Sequence, residues 1–131
     1  MLNQYDAVAN VAVKDLHRAE EFYEDVIGLE KVLEMDGGFM TFRSGNTTLN
    51  VYTSDYAGTN KATAVTWPVD DVEDTVKELK AKGVKFEHYK LPGLTVKGDI
   101  HVGDGMKVAW FKDPDGNTLS LTQFVRDQDP E

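Results

Sequence analysis

The stretch that decides the fold is Trp110-Phe111-Lys112-Asp113-Pro114-Asp115-Gly116-Asn117. Proline fixes a backbone angle that suits a tight turn, and aspartate, glycine and asparagine favour the other turn positions. Strand-like sequence flanks the turn on both sides, from Lys107 to Lys112 and from Thr118 to Phe124. The stretch therefore predicts a β-hairpin near the end of the 131-residue chain.

The residues before this hairpin predict a strand, a helix and a further strand. Thr63 to Val69 has the composition and alternation of a strand. Either Asp70 or Asp71 then caps a helix that ends at Gly83. Val84 to Tyr89 predicts the next strand.

The first half of the chain has the same order of elements. Ala7 to Val13 predicts a strand, and Asp15 caps a helix that ends at Gly28. Three strands follow: Leu29 to Met35, Phe39 to Arg43 and Thr47 to Thr53. The repeated order, strand-helix-strand-strand-strand, predicts an internal duplication with an α+β fold. We expect a single domain over residues 1–131, with module one at about 5–54 and module two at about 62–124.

Short motifs at matching places in the two halves resemble the vicinal-oxygen-chelate superfamily, which includes glyoxalase I, extradiol dioxygenases, and fosfomycin- and bleomycin-resistance proteins. The motifs are Val13-Lys14-Asp15-Leu16, Glu21-Phe22-Tyr23, Gly28-Leu29, Val69-Asp70-Asp71-Val72, Gly83-Val84 and Trp110 to Asn117. The resemblance extends from about Tyr5 to Phe124. It implies two βαβββ modules whose mixed sheets curve into a cup, with the helices outside.

Within this frame, strand alternation separates a helix-facing set of residues from a cup-lining set. The apolar, helix-facing set is Val11, Val13, Leu49, Val51, Val65, Trp67, Val69, Leu119 and Leu121. The cup-lining residues that we expect to bind a ligand are Asn10, Thr48, Asn50, Tyr52, Thr66, Thr118, Ser120 and Thr122. A solvated sheet face would have the same composition, so both interpretations stay open.

The resemblance also implies where a metal would bind. Metal-dependent members place His, Glu or Gln on the first and last strand of each module, at positions that correspond to Val8, Asn50, Ala64 and Ser120. A divalent cation needs charged oxygen or imidazole ligands to offset the loss of its hydration shell. We therefore expect no metal and no other cofactor, and neither metal-dependent glyoxalase I nor dioxygenase activity.

The segment from Leu91 to Gly105 contains four glycines and a proline, and predicts either a long hairpin or a mobile flap. Asp99 and His101 lie two positions apart in it, so they could share a strand face and are the candidates for acid or base catalysis. The default for His101 is an exposed loop histidine. Four aromatic residues in predicted strands could stack on a planar ligand, although an aromatic residue in a strand more often belongs to the core: Phe39, Tyr52, Tyr89 and Trp110.

Composition limits the class of partner. The net charge of −9 opposes binding to nucleic acid or to an anionic membrane surface. The chain has no cysteine, and the residues after Met1 show no signal peptide, so we expect a cytoplasmic protein. Three functions remain: a bleomycin-resistance-like protein that binds a small organic molecule, a metal-independent lyase- or isomerase-like enzyme, and a dimeric interaction module. We expect a homodimer, with each cup built within one chain or across two.

Overall fold

The structure, a computed structural model, describes residues 1–124. The polar residues 126–131, for which the composition predicts a frayed tail, lie outside them. The chain forms two compact units. Unit one comprises Met1–Ala64 together with the turn residues Asp113–Asn117. Unit two comprises Val65–Lys112 and the residues from Thr118 onwards. Within residues 1–124, no helix has the length and apolar character needed to cross a bilayer.

Unit one contains a four-stranded mixed sheet in the order β1-β4-β3-β2, in which β1 and β4 are parallel. Its strands are β1 (Ala9–Val13), β2 (Glu30–Met35), β3 (Phe39–Ser44) and β4 (Thr47–Thr53). A short 3₁₀ turn, Leu2–Gln4, precedes them. Helix α1 (Leu16–Glu20) follows β1 and continues as a π-helical stretch, Glu21–Val26. The sequence did not indicate this change of helix type.

Local sequence explains where this helix begins and ends. The side chain of Asp15 accepts hydrogen bonds from the backbone N–H groups of His17 and Arg18, at 3.0 and 3.2 Å, so the predicted N-cap is confirmed. Gly28 ends the helical region at a φ of 82°, a conformation that glycine adopts without strain. The predicted helix-facing residues of β1 and β4 are buried: Val11, Val13, Leu49 and Val51.

Unit two contains a sheet in the order β5-β10-β9-β8-β7, with β6 also paired to β9. Its strands are β5 (Thr63–Pro68), β6 (Phe86–Glu87), β7 (Thr95–Lys97), β8 (Ile100–Gly103), β9 (Met106–Lys112) and β10 (Thr118–Phe124). Helix α2 (Val72–Ala81) is capped by Asp71, whose side chain accepts from the N–H of Asp74 at 3.1 Å. The buried residues of α2 recur at helical spacing: Val72, Val76 and Leu79.

One predicted strand of unit two is wrong in extent. Val84 to Tyr89 forms only the two-residue β6, because the chain leaves the sheet after Glu87. It returns at Ile100 as β8, which pairs with β9 on the same side as β6. Between them the chain forms the antiparallel β7–β8 hairpin, so the hairpin interpretation of residues 91–105 is the one that the structure shows. Two short strands thus line the edge that the single strand β2 lines in unit one.

Candidate functional site

A strip of three hydrogen-bonded side chains crosses the open face of the unit-one sheet. Asn10, Asn50 and Thr41 are register partners on β1, β4 and β3. The hydroxyl of Thr41 donates to Asn50 Oδ1 at 2.8 Å, and Asn50 Nδ2 donates to Asn10 Oδ1 at 3.2 Å. Asn10 Nδ2 in turn donates to the backbone carbonyl of Val8 at 3.4 Å. We call this set the amide strip.

The amide strip is accessible and has apolar neighbours. Asn10 is exposed, Asn50 is half-buried, and only Thr41 is buried. Three apolar neighbours are partly exposed, with relative solvent-accessible surfaces of 39% for Val8, 47% for Leu33 and 38% for Tyr52. Thr48, the remaining predicted ligand-binding residue of β4, is half-buried. Four predicted ligand-binding residues therefore lie on one accessible face: Asn10, Thr48, Asn50 and Tyr52.

The corresponding face of unit two is less exposed. Thr118, Ser120 and Thr122 are all buried on β10, whereas Thr66 on β5 is exposed. The hydroxyl groups of Ser120 and Thr66 lie 2.7 Å apart and share a hydrogen bond. The helix-facing alternation holds as well, since Leu119 and Leu121 are buried and the apolar residues of β5 are half-buried.

Trp110 lies on this same face of unit two. It is the register partner of Ser120 on one side and of Glu87 on the other. Its indole ring makes T-shaped contacts with the rings of His101 and Tyr89, with centroids 4.7 and 5.4 Å away. Trp110 is half-buried. Unit two therefore presents an aromatic surface beside the Ser120–Thr66 hydroxyl pair, and we call the Trp110, Tyr89 and His101 rings the aromatic cluster.

The other tryptophan has a different environment. Trp67 stacks on Phe111 with centroids 6.4 Å apart and an interplanar angle of 23°. Phe111 is buried and also packs against Phe86. Phe111 is adjacent to Trp110 on β9, and successive residues of a strand point to opposite faces of its sheet. Trp67 is half-buried and stacks on the opposite face of the sheet, so it provides a control for experiments on Trp110.

His101 is not the exposed loop histidine of the default expectation. Its side chain is fully buried on β8. Its Nε2 accepts a hydrogen bond from the backbone N–H of Tyr89 at 2.9 Å, and its Nδ1 lies 3.3 Å from the carbonyl oxygen of Val108. Because a carbonyl only accepts, Nδ1 is the donor in this second bond. The ring links the segment that leaves the sheet after β6 to strand β9.

Asp99 and His101 take part in separate sets of hydrogen bonds. Asp99 lies in the turn before β8, where its carboxylate accepts from Lys80 Nζ at 2.7 Å and lies 2.8 Å from His88 Nε2. Hydrogen bonds from Lys80 and then His88 hold the pKa of Asp99 below its usual range. A shallow depression of about 340 Å³ adjoins this group and is lined by Glu73, Val76, Lys77, Lys80, Asp99 and Ile100.

Sequence patterns missed a buried polar pair in unit one. Tyr23 is fully buried, and its hydroxyl donates to Asp113 Oδ2 at 2.8 Å. Asp113 also accepts from the side-chain amide of Asn117 and from the backbone N–H groups of Asp115 and Asn117. Burial, and then the charge of Asp113, raise the pKa of Tyr23 well above its usual range. The turn motif therefore anchors a core tyrosine, a role that the turn sequence by itself does not indicate.

The residues at the implied metal positions do not fit a divalent cation. Val8 and Ala64 have hydrocarbon side chains. The amide oxygen of Asn50 accepts from Thr41, and the hydroxyl of Ser120 is bonded to Thr66. In the part of the chain that the structure describes, no three His, Cys, Asp or Glu side chains group as a metal site would require. Neutral oxygens already in hydrogen bonds are poor ligands for a cation that must shed water.

These observations define a duplicated βαβββ protein with polar and aromatic sheet faces. The family model of the Glyoxalase/Bleomycin resistance protein/Dioxygenase superfamily matches residues 4–121, so the chain belongs to that superfamily. None of the curated proteins matches the sequence.

Similar solved structures share this fold. Lactoylglutathione lyase from Agrobacterium tumefaciens is 21% identical, with a TM-score of 0.68 over 91% of this chain and 92% of that one. The antibiotic-binding protein TnmS3 from Streptomyces sp. CB03234 is 20% identical, with a TM-score of 0.66 over 92% and 96%. A superfamily member from Sphaerobacter thermophilus DSM 20745 is 24% identical, with a TM-score of 0.65 over 91% and 96%. At these identities the likeness concerns the fold alone.

Proposed function

We propose that the protein binds a small, planar, cationic organic molecule on the aromatic cluster of unit two, without a metal ion. The observation that carries the proposal is the position of Trp110. A half-buried indole, held by T-shaped contacts with two neighbouring rings, offers a flat surface of the kind on which aromatic ligands stack. The adjoining hydroxyl pair of Ser120 and Thr66 can accept or donate a hydrogen bond to the ligand's edge.

Charge favours a cation as the ligand. The chain carries a net charge of −9, which attracts cations and repels anions over several ångströms. Glu87 lies directly opposite Trp110 on the same face, although its carboxylate is also 3.8 Å from Lys112 Nζ. A cation over the indole face adds roughly 0.5 to 2 kcal/mol of attraction, which corresponds to a 2- to 30-fold gain in affinity.

Two features favour binding over catalysis. Both ring nitrogens of His101 are engaged by backbone groups, so neither is directed at a substrate. Asp99, the other candidate, is held by Lys80 and His88. The antibiotic-binding protein TnmS3 has the same fold, and binding of an organic molecule is therefore compatible with this architecture. The metal-independent enzyme is the less supported alternative.

Calorimetric titration with N-methylquinolinium tests the proposal. Cyclohexyltrimethylammonium, a cation without an aromatic plane, is the control ligand. We expect the planar cation to bind about 2- to 13-fold more tightly, because only its aromatic plane can stack on the indole, and Trp110→Leu to remove that preference. Trp67→Leu, which alters the tryptophan on the opposite face of the sheet, keeps the preference. Equal binding of both cations, or equal loss in both variants, would show that Trp110 is not the binding surface.

A further inference from the structure

We propose that the amide strip of unit one is a second binding site, specific for the oxygen of a neutral carbonyl compound such as a ketone, ester, lactam or amide. It is argued from unit one alone and goes beyond the function proposed for unit two. Its starting point is the direction of the hydrogen bonds along Thr41, Asn50 and Asn10.

The Val8 carbonyl fixes that direction. A backbone carbonyl can only accept, so Asn10 presents its nitrogen to Val8 and its oxygen to Asn50. Asn50 must then present its nitrogen to Asn10 and its oxygen to Thr41, which donates its hydroxyl hydrogen. Every donor in the strip therefore points from the buried Thr41 toward the exposed Asn10. Such aligned hydrogen bonds polarise one another, which strengthens the donors at the open end.

The strip has donors left over. An amide nitrogen carries two hydrogens, and Asn10 and Asn50 each use one of them in these bonds. Each of the two amide oxygens accepts one bond and keeps one lone pair. Because an amide whose oxygen already accepts a hydrogen bond becomes a stronger donor, the N–H groups are the stronger unused groups at the accessible end of the strip, and the group that complements them is a hydrogen-bond acceptor.

Charge decides between a neutral and an anionic acceptor. Unit one has five basic and twelve acidic side chains, so it repels carboxylates and phosphates. Neutral amides offer no compensating charge. The exposed apolar side chains on the same face, Leu33 and Tyr52, suit the hydrocarbon part of a ligand instead. A neutral carbonyl carried on an apolar body satisfies both requirements.

The test follows the side-chain amide signals of Asn10 and Asn50 by ¹H–¹⁵N NMR during titration with cyclohexanone. Cyclohexanecarboxylate and cyclohexylammonium, an anion and a donor on the same ring, are the comparison probes. We expect cyclohexanone to shift both amide signals saturably and the other two probes to shift them far less. The indole N–H signal of Trp110 reports on unit two separately, so failure at one site is distinguishable from failure at the other.

Asn50→Asp replaces the donating nitrogen by an acceptor of the same shape, and we expect it to weaken cyclohexanone binding by about tenfold. Asn46→Asp adds the same charge at an exposed turn position and leaves binding unchanged. Backbone amide spectra establish that both variants are folded. The proposal is overturned if cyclohexylammonium gives the strongest response, if cyclohexanone produces no saturable shift, or if the two variants bind it equally.

Discussion

Replacement of His101 by phenylalanine tests whether the imidazole is a structural link in unit two. The ring is fully buried and bonded through both nitrogens, to Tyr89 N–H at 2.9 Å and to the Val108 carbonyl at 3.3 Å. Phenylalanine preserves the edge-on contact with Trp110 but leaves both backbone groups without this partner. A buried polar group that loses its hydrogen bond costs about 1 to 3 kcal/mol. For the two groups together, we therefore expect the free energy of unfolding to fall by about 2 to 6 kcal/mol.

Urea unfolding followed by circular dichroism measures this change, with unchanged m-values as the condition for comparison. His17→Phe is the matched control, because the His17 side chain is 79% exposed and an exposed substitution changes stability by less than about 0.5 kcal/mol. His101→Gln retains one acceptor and one donor and should recover part of the loss. If His101→Phe were as stable as the wild type, the imidazole would not link these backbone groups.

Three further predictions concern the frame that carries the two faces. Tyr23→Phe removes the hydrogen bond to Asp113 and lowers the free energy of unfolding by about 1.5 to 3 kcal/mol at neutral pH. Above about pH 10 the tyrosine ionises in the unfolded state, whereas its raised pKa keeps it protonated in the folded state, so the wild type loses an extra 1.4 kcal/mol or so of stability per pH unit. The variant lacks this additional loss. Gly58→Ala lowers the thermal unfolding temperature more than Gly45→Ala does. A Cβ at Gly58 would lie 2.0 Å from the Asp115 carbonyl oxygen, whereas nothing lies within 4 Å of a Cβ at Gly45. Equal decreases in the unfolding temperature would refute the backbone contact. Asp71→Ala costs about 1 kcal/mol through loss of the α2 cap, while Asp70→Ala leaves stability nearly unchanged; a larger effect at Asp70 would reassign the cap.

Signals confined to a few neighbouring residues could be predicted from the sequence. Asp15 and Gly28 delimit the first helix as expected, because capping and positive φ are properties of single residues and their immediate neighbours. The alternation in β1 and β4 placed Val11 and Leu49 toward the helix and Asn50 on the opposite face, because strand periodicity is fixed by backbone geometry. The duplication then supplied the order of elements.

Features that depend on contacts between distant segments could not be predicted. The length of β6 depends on where its pairing with β9 ends and where β8 takes over that pairing. Because β6 and β8 both have ordinary strand composition, the sequence does not mark this change. The burial of His101 follows from that replacement, because only the returning strand places its ring beside Tyr89 and Val108. Asp113 could be identified as a turn residue, but its bond to Tyr23 spans ninety positions of sequence.

The most direct test of the central claim, ligand binding on the Trp110 face without a metal, is a single calorimetric comparison. N-methylquinolinium, which has no lone pair for a metal, is titrated into the protein before and after exhaustive dialysis against EDTA. We predict one ligand bound per chain with the same affinity in both samples, because the positions implied for metal ligands carry Val8, Asn50, Ala64 and Ser120. Binding that disappears after dialysis and returns with added Zn²⁺ or Ni²⁺ would contradict the account.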